Sequence, residues 1–265
     1  MRFFDTHTHL DFLSQALNCP IGELTKNAQQ QGIERLLIVA ISAKNFEKVT
    51  ACAKQFPLQL RYGLGLHPLY IEQHQERDLA ILEQLLAQQD PLCTAVAEIG
   101  LERAVESLRC NEMWKKQCMF LERQLLLAKR YDLPINLHSR QSHDQLFPFL
   151  KKAQLARTGV VHGFAGSYEQ AKRFVDLGYK IGVGGTITYQ RANKTRETIR
   201  KLPLDALLLE TDCPDMPVFG FQGQPNRPEY MKVTFQTLCE LRTETAEQVA
   251  KTIWHTSEQL FWSSL

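Results

Sequence analysis

Three observations predict an α/β protein folded as a (β/α)8 TIM barrel. The chain has 265 residues, close to the roughly 250 usual for that fold. Short aliphatic or β-branched runs alternate eight times with longer amphipathic stretches. The unusual polar residues fall at the carboxyl ends of those runs, which a parallel barrel gathers on one rim. The alternative, a doubly wound open sheet, normally carries fewer strands and builds its crevice from only a few strand ends. Residues 1–265 read as one such domain, without linker, low-complexity tract or charged tail.

Taken in order, the expected strands are RFFDTH (2–7), RLLIVA (35–40), LRYGLG (60–65), TAVAEIG (94–100), PINLH (134–138), GVVH (159–162), YKIGVG (179–184) and ALLLET (206–211). Helices are expected near 21–31, 44–55, 75–89, 112–131, 142–153, 167–177 and 192–201, with two more near 229–240 and 244–262. The segment 112–131 is the clearest of these, because Met113, Cys118, Leu121, Leu125 and Ala128 fall on one stripe. Pro134 then opens the fifth strand, where no ladder bond need be donated.

Composition narrows the function. An apolar share of 44% with 23% charged residues is that of a soluble globular protein. Lys and Arg number 31 against 29 Asp and Glu, so no broad basic field exists for tight duplex binding. A local pocket gripping one strand end remains compatible with that balance. The seven cysteines (19, 52, 93, 110, 118, 213 and 239) include no C-x-x-C pair and read as reduced thiols, mostly small core residues. Acid and histidine interrupt the N-terminal MRFFDTHTHLDF, which reads as neither a signal peptide nor a membrane span. The expected location is the cytoplasm. No feature marks an obligate protein interface, so a monomer is expected.

The chemistry lies at strand ends. In DTHTHL, His7 and His9 are two apart and share a face of an extended strand. Alone, an H-x-H is as compatible with two surface histidines as with a metal site. Glu98, however, closes the fourth strand, His138 the fifth and His162 the sixth, while Asp212 follows the eighth. Six metal-competent groups at one rim exceed the needs of a single tetrahedral zinc but suit two divalent ions sharing a carboxylate. His7, His9 and Asp212 are assigned to one ion, His138 and His162 to the other, and Glu98 to the bridge. Imidazole and carboxylate donors fit Zn, Mn or Ni, with Mg less natural. A metal-bound hydroxide would then be the nucleophile, and Asp212 the general base.

The chain resembles the TatD-type metal-dependent hydrolases, a branch of the amidohydrolase-like barrels. The resemblance runs through DTHTHLDF, GLGLHP, AEIGL, LPINLHSR, GVVHGFAGS, YKIGVGG, LLLETDCP and GQPNRPE. GVGGTITY and GFQGQPNRPE point to a YjjV-like subgroup. The family implies DNase or exonuclease-like phosphodiester hydrolysis, with metals on His7, His9, Glu98, His138, His162 and Asp212. Two positions depart from its pattern. Glu102 stands where the family usually has Asp, and His255 where it usually has Asn. Neither is expected to touch a ligand.

Further assignments rest on position. Asp5 and Glu210 lie two residues before His7 and Asp212, so alternation points both into the barrel, either to orient ligand imidazoles or to pair with a cation low in the barrel. His67 and Arg140 are assigned to substrate, Arg140 as a bidentate phosphate clamp. Gly182, Gly184 and Gly185, with Arg191 and Lys194, form one candidate phosphate loop, and GFAGS (163–167), with Ser167 as an N-cap, forms another. Phe164, Phe219 and Phe221 are candidate base-stacking groups. The expected substrate is a DNA or RNA end, bound transiently. An amidohydrolase acting on a small amide, lactone or cyclic imide is the rival reading, and a catalytically weak metal-bound scaffold the third.

Overall fold

A computed structural model describes residues 1–262. Eight parallel strands follow one another in sequence order around the sheet: β1 (Phe3–Thr8), β2 (Ile33–Val39), β3 (Leu60–Leu64), β4 (Cys93–Glu102), β5 (Ile135–Arg140), β6 (Gly159–Val161), β7 (Lys180–Val183) and β8 (Leu207–Leu209). The seam between β8 and β1 is drawn together mostly beyond the end of β8. There Asp212 N–H donates to His7 O (2.9 Å) and His9 N–H to Cys213 O (2.8 Å), while Thr6 Oγ1 donates to Leu209 O (2.9 Å). The result is the nearly closed barrel that the alternation predicts, not an open sheet.

Among the described residues ten α-helices surround it: α1 (Leu10–Leu17), α2 (Ile21–Gln30), α3 (Phe46–Gln55), α4 (Glu76–Leu86), α5 (Asn111–Arg130), α6 (His143–Ala153), α7 (Tyr168–Asp176), α8 (Asn193–Lys201), α9 (Met231–Leu241) and α10 (Ala246–Phe261). The first was not anticipated. It begins one residue after His9, in the stretch read as part of the HxH motif, and buries Leu10 and Leu13. Capping boxes with a hydroxyl N-cap open α7, Ser167 with Gln170, and α10, Thr245 with Gln248. Among the described residues no helix is long and apolar enough to cross a membrane.

Two apolar clusters fill the fold. The larger lies between sheet and helices. The smaller joins Phe4, Leu37, Val39, Ala95, Ala97, Val160 and Leu208 with Trp254 and Phe261 of α10, so side chains, not a channel, occupy the space beneath the rim. The apolar stripe expected on α5 differs in one informative way. Gln117 and Gln124 are buried on its inner face, while Met113 and Cys118 pack only partly buried. Both amides are spent on backbone at the exits of β3 and β4. Gln124 bonds Leu66 N (2.7 Å) and O (3.3 Å), and Gln117 bonds Glu102 N (2.8 Å) and O (3.2 Å). Cysteine usage also departs from expectation: of seven free thiols only Cys52 and Cys213 are buried, and Cys110 is exposed.

The ladder is irregular at two places that matter. Pairing of β1 with β2 shifts register between Asp5 and Thr8, and pairing of β4 with β5 shifts between Ala97 and Ile99. Such breaks re-aim side chains beside functional sites. Near the second, Gly100 has φ +145, and a Cβ there would lie 1.9 Å from His138 O. Gly100→Ala is therefore expected to destabilise the fold by about 1–3 kcal/mol, seen as a lower melting temperature. An unchanged melting temperature would mean that β4 and β5 are not packed this closely.

Candidate metal centre

All six groups assigned from the strand ends meet at the C-terminal rim, around one carboxylate. Glu98 is buried, and its two oxygens face different partners. Oε2 lies 3.3 Å from His7 Nε2 and 3.6 Å from His9 Nε2. Both imidazole nitrogens are also 3.5 Å from Asp212 Oδ1. Oε1 lies 2.6 Å from His162 Nε2, 2.9 Å from His67 Nε2 and 3.1 Å from His138 Nδ1. The register shift at Ala97–Ile99 accompanies the turn of Glu98 into this centre. Asp212 reaches it from the loop after β8 with a left-handed backbone, φ +58. Asn226 of the GQPNRPE motif ties that loop down by donating to Thr211 O (2.8 Å) and Met216 O (3.1 Å).

A neutral imidazole carries one N–H and one lone pair, so the partner of the outer nitrogen decides what the inner one offers. His7 Nδ1 meets Asn136 Oδ1 at 2.9 Å, and His9 Nδ1 meets Val39 O at 3.0 Å. Both therefore keep the proton on Nδ1 and turn the Nε2 lone pair to the centre. His67 is the opposite case. Leu69 N–H donates to its Nδ1 (2.9 Å), which places the proton on Nε2, facing Glu98. His162 Nε2 is close to Glu98, yet among the described residues neither of its ring nitrogens has an aligned hydrogen-bond partner. A buried nitrogen left in this way is what an ion would satisfy.

Electrostatics tell the same story. Burial alone would raise Glu98, but His67, His162, His7 and His138 hold it well below the usual carboxylate range. Burial would lower His7, yet Glu98, Asp212 and Glu210 push it up to about 10. His138 rises to about 9 against burial because Glu102 and Glu98 accept from it. Burial takes His67 down to about 4, so it stays neutral. A centre that draws protons this strongly is one whose carboxylate field favours cations.

Three overlapping donor groups have their atoms within 4.8 Å of one another: His7, His9 and Asp212; His7, Glu98 and His162; His67, Glu98 and His138. The first matches the grouping expected from sequence. The last joins His138 to His67 instead of to His162, but the proton on His67 Nε2 makes that residue a donor and not a ligand.

The remaining assignments divide. Arg140 is exposed at the mouth of the roughly 700 Å³ pocket above the centre, together with His67, Phe12, Tyr70 and Asp215. Arg191 is not among the residues lining it; the guanidinium sits 5.3 Å from the Tyr189 ring, and exposed Lys194 is likewise outside the lining. Among the described residues Asp5 bonds no imidazole nitrogen and pairs with no cation. The register shift after it breaks the alternation, and its carboxylate takes Thr211 N–H (3.0 Å) and Oγ1–H (2.6 Å) instead. Glu210 does lie beneath the centre, accepting from Gly163 N–H with Oε1 3.9 Å from His162 Nδ1, and burial pushes it up to about 8. A Cβ on Gly182 would lie 2.2 Å from its Oε2. That glycine makes room for Glu210, not for a phosphate, and Ser167 serves as the N-cap of α7.

Phe164 is buried against His143 (ring centroids 4.9 Å apart), Phe221 packs on Tyr230 (4.2 Å), and Phe219 is exposed beside Tyr189. None lines the pocket; Phe12 and Tyr70 do. His255 is exposed on α10 beside Gln259, away from the centre. Glu102 contradicts the expectation that it touches no ligand, because Oε2 lies 3.0 Å from His138 Nε2. Asn136 was missed, although it stands two residues before His138 on β5 and alternation alone would have pointed it inward.

Comparison with known proteins identifies metal-dependent hydrolases. The family model described as TatD related DNase matches residues 4–262. An uncharacterized metal-dependent hydrolase of Haemophilus influenzae is 60% identical over 261 residues, covering 98% of this chain and 100% of its own. The Escherichia coli metal-dependent hydrolase YjjV is 49% identical over 260 residues, covering 98% of both chains. The crystal structure of that YjjV superposes with a TM-score of 0.93 over 98% of each chain.

The shifts set a pH dependence. His7 and His138 rise on folding from 6.5 to about 10 and about 9, and Asp5 and Glu210 from 3.8 and 4.5 to about 7 and about 8. All four bind protons more tightly when folded, so metal-free protein should lose stability as pH rises through 7 to 10. Zinc binding at pH 7 should release protons. Melting curves across that range, and calorimetry in buffers of different ionisation enthalpy, check both; a flat stability profile would contradict the carboxylate field described above.

Proposed function

The chain belongs to the TatD-related DNase family, and on that premise we propose that it is a cytoplasmic phosphodiesterase, dependent on two divalent metal ions, that removes nucleotides from DNA or RNA ends. The observation that supports two ions is the division of Glu98: Oε2 faces His7, His9 and the Asp212 side, and Oε1 faces His138 and His162. His7, His9 and Asp212 would hold one ion, His138 and His162 the other, with Glu98 between them. Zinc, manganese or nickel suits these donors better than magnesium. Bound there, such ions acidify a water and polarise the scissile group.

The chain's own residues do the rest. The Asp212 carboxylate, held by the left-handed turn and the Asn226 tie, is placed to take the proton of the attacking water. His67 lines the pocket with its Nε2–H, kept as a donor by Leu69 N–H, given to Glu98 Oε1 (2.9 Å), so it would meet substrate through the ring face and edge left beside that bond. Arg140 at the mouth supplies the counter-charge for a neighbouring phosphate. The Phe12 and Tyr70 rings form an apolar wall that excludes water. No partner protein is invoked, and the protein acts as a monomer.

One observation favours the rival amidohydrolase reading. Asp215 brings an exposed carboxylate to the same mouth, which disfavours a second phosphate there.

End-labelled single-stranded DNA, given to metal-reconstituted protein, separates the two. Terminal nucleotides should be released, EDTA should stop the release, and Asp212→Asn should slow it by about 10²–10⁴-fold. Intact DNA alongside cleavage of a small amide would overturn the nuclease reading. Arg140→Ala should raise KM about 10–100-fold with kcat little changed, as loss of a charged hydrogen bond remote from the reacting atoms does. Unchanged KM would remove Arg140 from substrate binding.

A further inference from the structure

Among the imidazoles proposed as ligands, His138 is turned the other way. His7, His9 and His162 present Nε2 to Glu98, whereas His138 presents Nδ1, 3.1 Å from Glu98 Oε1. Its outer nitrogen, Nε2, meets Glu102 Oε2 at 3.0 Å. The outer nitrogens of His7 and His9 donate to neutral oxygens, Asn136 Oδ1 and Val39 O, and His162 Nδ1 has no hydrogen-bond partner. His138 alone donates to a carboxylate.

Glu102 is itself fully buried and cannot follow the ring. Ala104 N–H donates to its Oε1. The Gln117 amide clamps its backbone at both N and O, with a further bond to Leu108 O (3.2 Å). A carboxylate pinned in this way holds a proton on His138 Nε2, so that Nδ1, once it gives up the proton it shares with Glu98 in the metal-free protein, turns its lone pair to the centre. It also makes that imidazole a stronger donor than one bonded to a neutral oxygen.

We propose that Glu102 is a positioning residue that turns His138 so that Nδ1 is its metal-facing atom, and thereby sets the metal affinity of the Glu98 Oε1 half of the centre. This rests on the two-ion reading above. Side-chain length matters to it. An aspartate at this position ends one methylene short, about 1.5 Å, and from the same anchored backbone would not reach Nε2.

Zinc titration against a competing chelator, on metal-free wild type, Glu102→Ala, Glu102→Asp and Glu102→Gln, tests this without any activity assay. Wild type should take up two ions. Glu102→Ala and Glu102→Asp should each keep one at wild-type affinity and bind the second about 10–100-fold more weakly. Glu102→Gln keeps an acceptor and should fall between. Nitrogen-15 NMR of the histidine side chains gives a second readout: a solvent-protected His138 Nε2–H in wild type, lost in Glu102→Ala. Circular dichroism of the metal-free variants shows that they fold. Two equally tight ions in folded Glu102→Ala would overturn the proposal, as would zinc-loaded wild type with the His138 proton on Nδ1. Should wild type bind fewer than two ions, the two-ion reading fails together with the affinity claim, while the Nε2–H signal still decides whether Glu102 orients His138.

Discussion

The rim is organised by the need to satisfy Glu98. A carboxylate with about 1% of its residue surface exposed is strongly disfavoured as an ion unless partners surround it. Five imidazoles do so, from the ends of β1, β5 and β6 and from the loop after β3. Four of those imidazoles are in turn oriented through their outer nitrogens, by Asn136, Val39 O, Leu69 N–H and Glu102. The centre is therefore a set of nested constraints, in which each shell fixes the protonation of the one inside it.

The supports come from outside the barrel as well as from its strands. Gln124 and Gln117, seven residues apart on α5, sit two turns from each other and grip the exits of β3 and β4. One grip lies beside His67 and the other on Glu102. A single helix thus holds the donor imidazole and the carboxylate behind His138. Asn226 performs the same service for Asp212 across the long loop after β8. These amides are fully engaged with backbone, which is the condition under which buried polar groups add rigidity.

The floor and the mouth differ in character. Beneath the ligands, Glu210 is held in a niche that Gly182 leaves open, and the small apolar cluster closes the barrel below. Above them the mouth carries Arg140 and Asp215, of opposite charge, with Phe12 and Tyr70 between the rim and solvent.

Much of this was legible in the residues. Eight alternations specify a barrel because parallel strands need crossovers, and crossovers of that length are helices. Strand ends then specify which side chains share a rim, and residue type specifies that the rim is nitrogen- and carboxylate-rich. Asn136 was legible too, by the same alternation that placed His138. Period-two reasoning failed where the ladder breaks: the shift after Asp5 sends its carboxylate to Thr211, and nothing in the residues marks that break. It kept His67 apart from the ligands but could not show its bond to Glu98, since a histidine's role depends on which ring nitrogen a distant N–H or oxygen engages. Glu102 was visible only as a departure from a familiar pattern; that it reaches His138 depends on a backbone held by Gln117, fifteen residues away on α5. The sequence by itself determined the barrel and the donor set, because periodicity and residue chemistry are local. Only the tertiary structure decided register breaks, imidazole tautomers and second partners, because each is fixed by a contact between segments that no local pattern records.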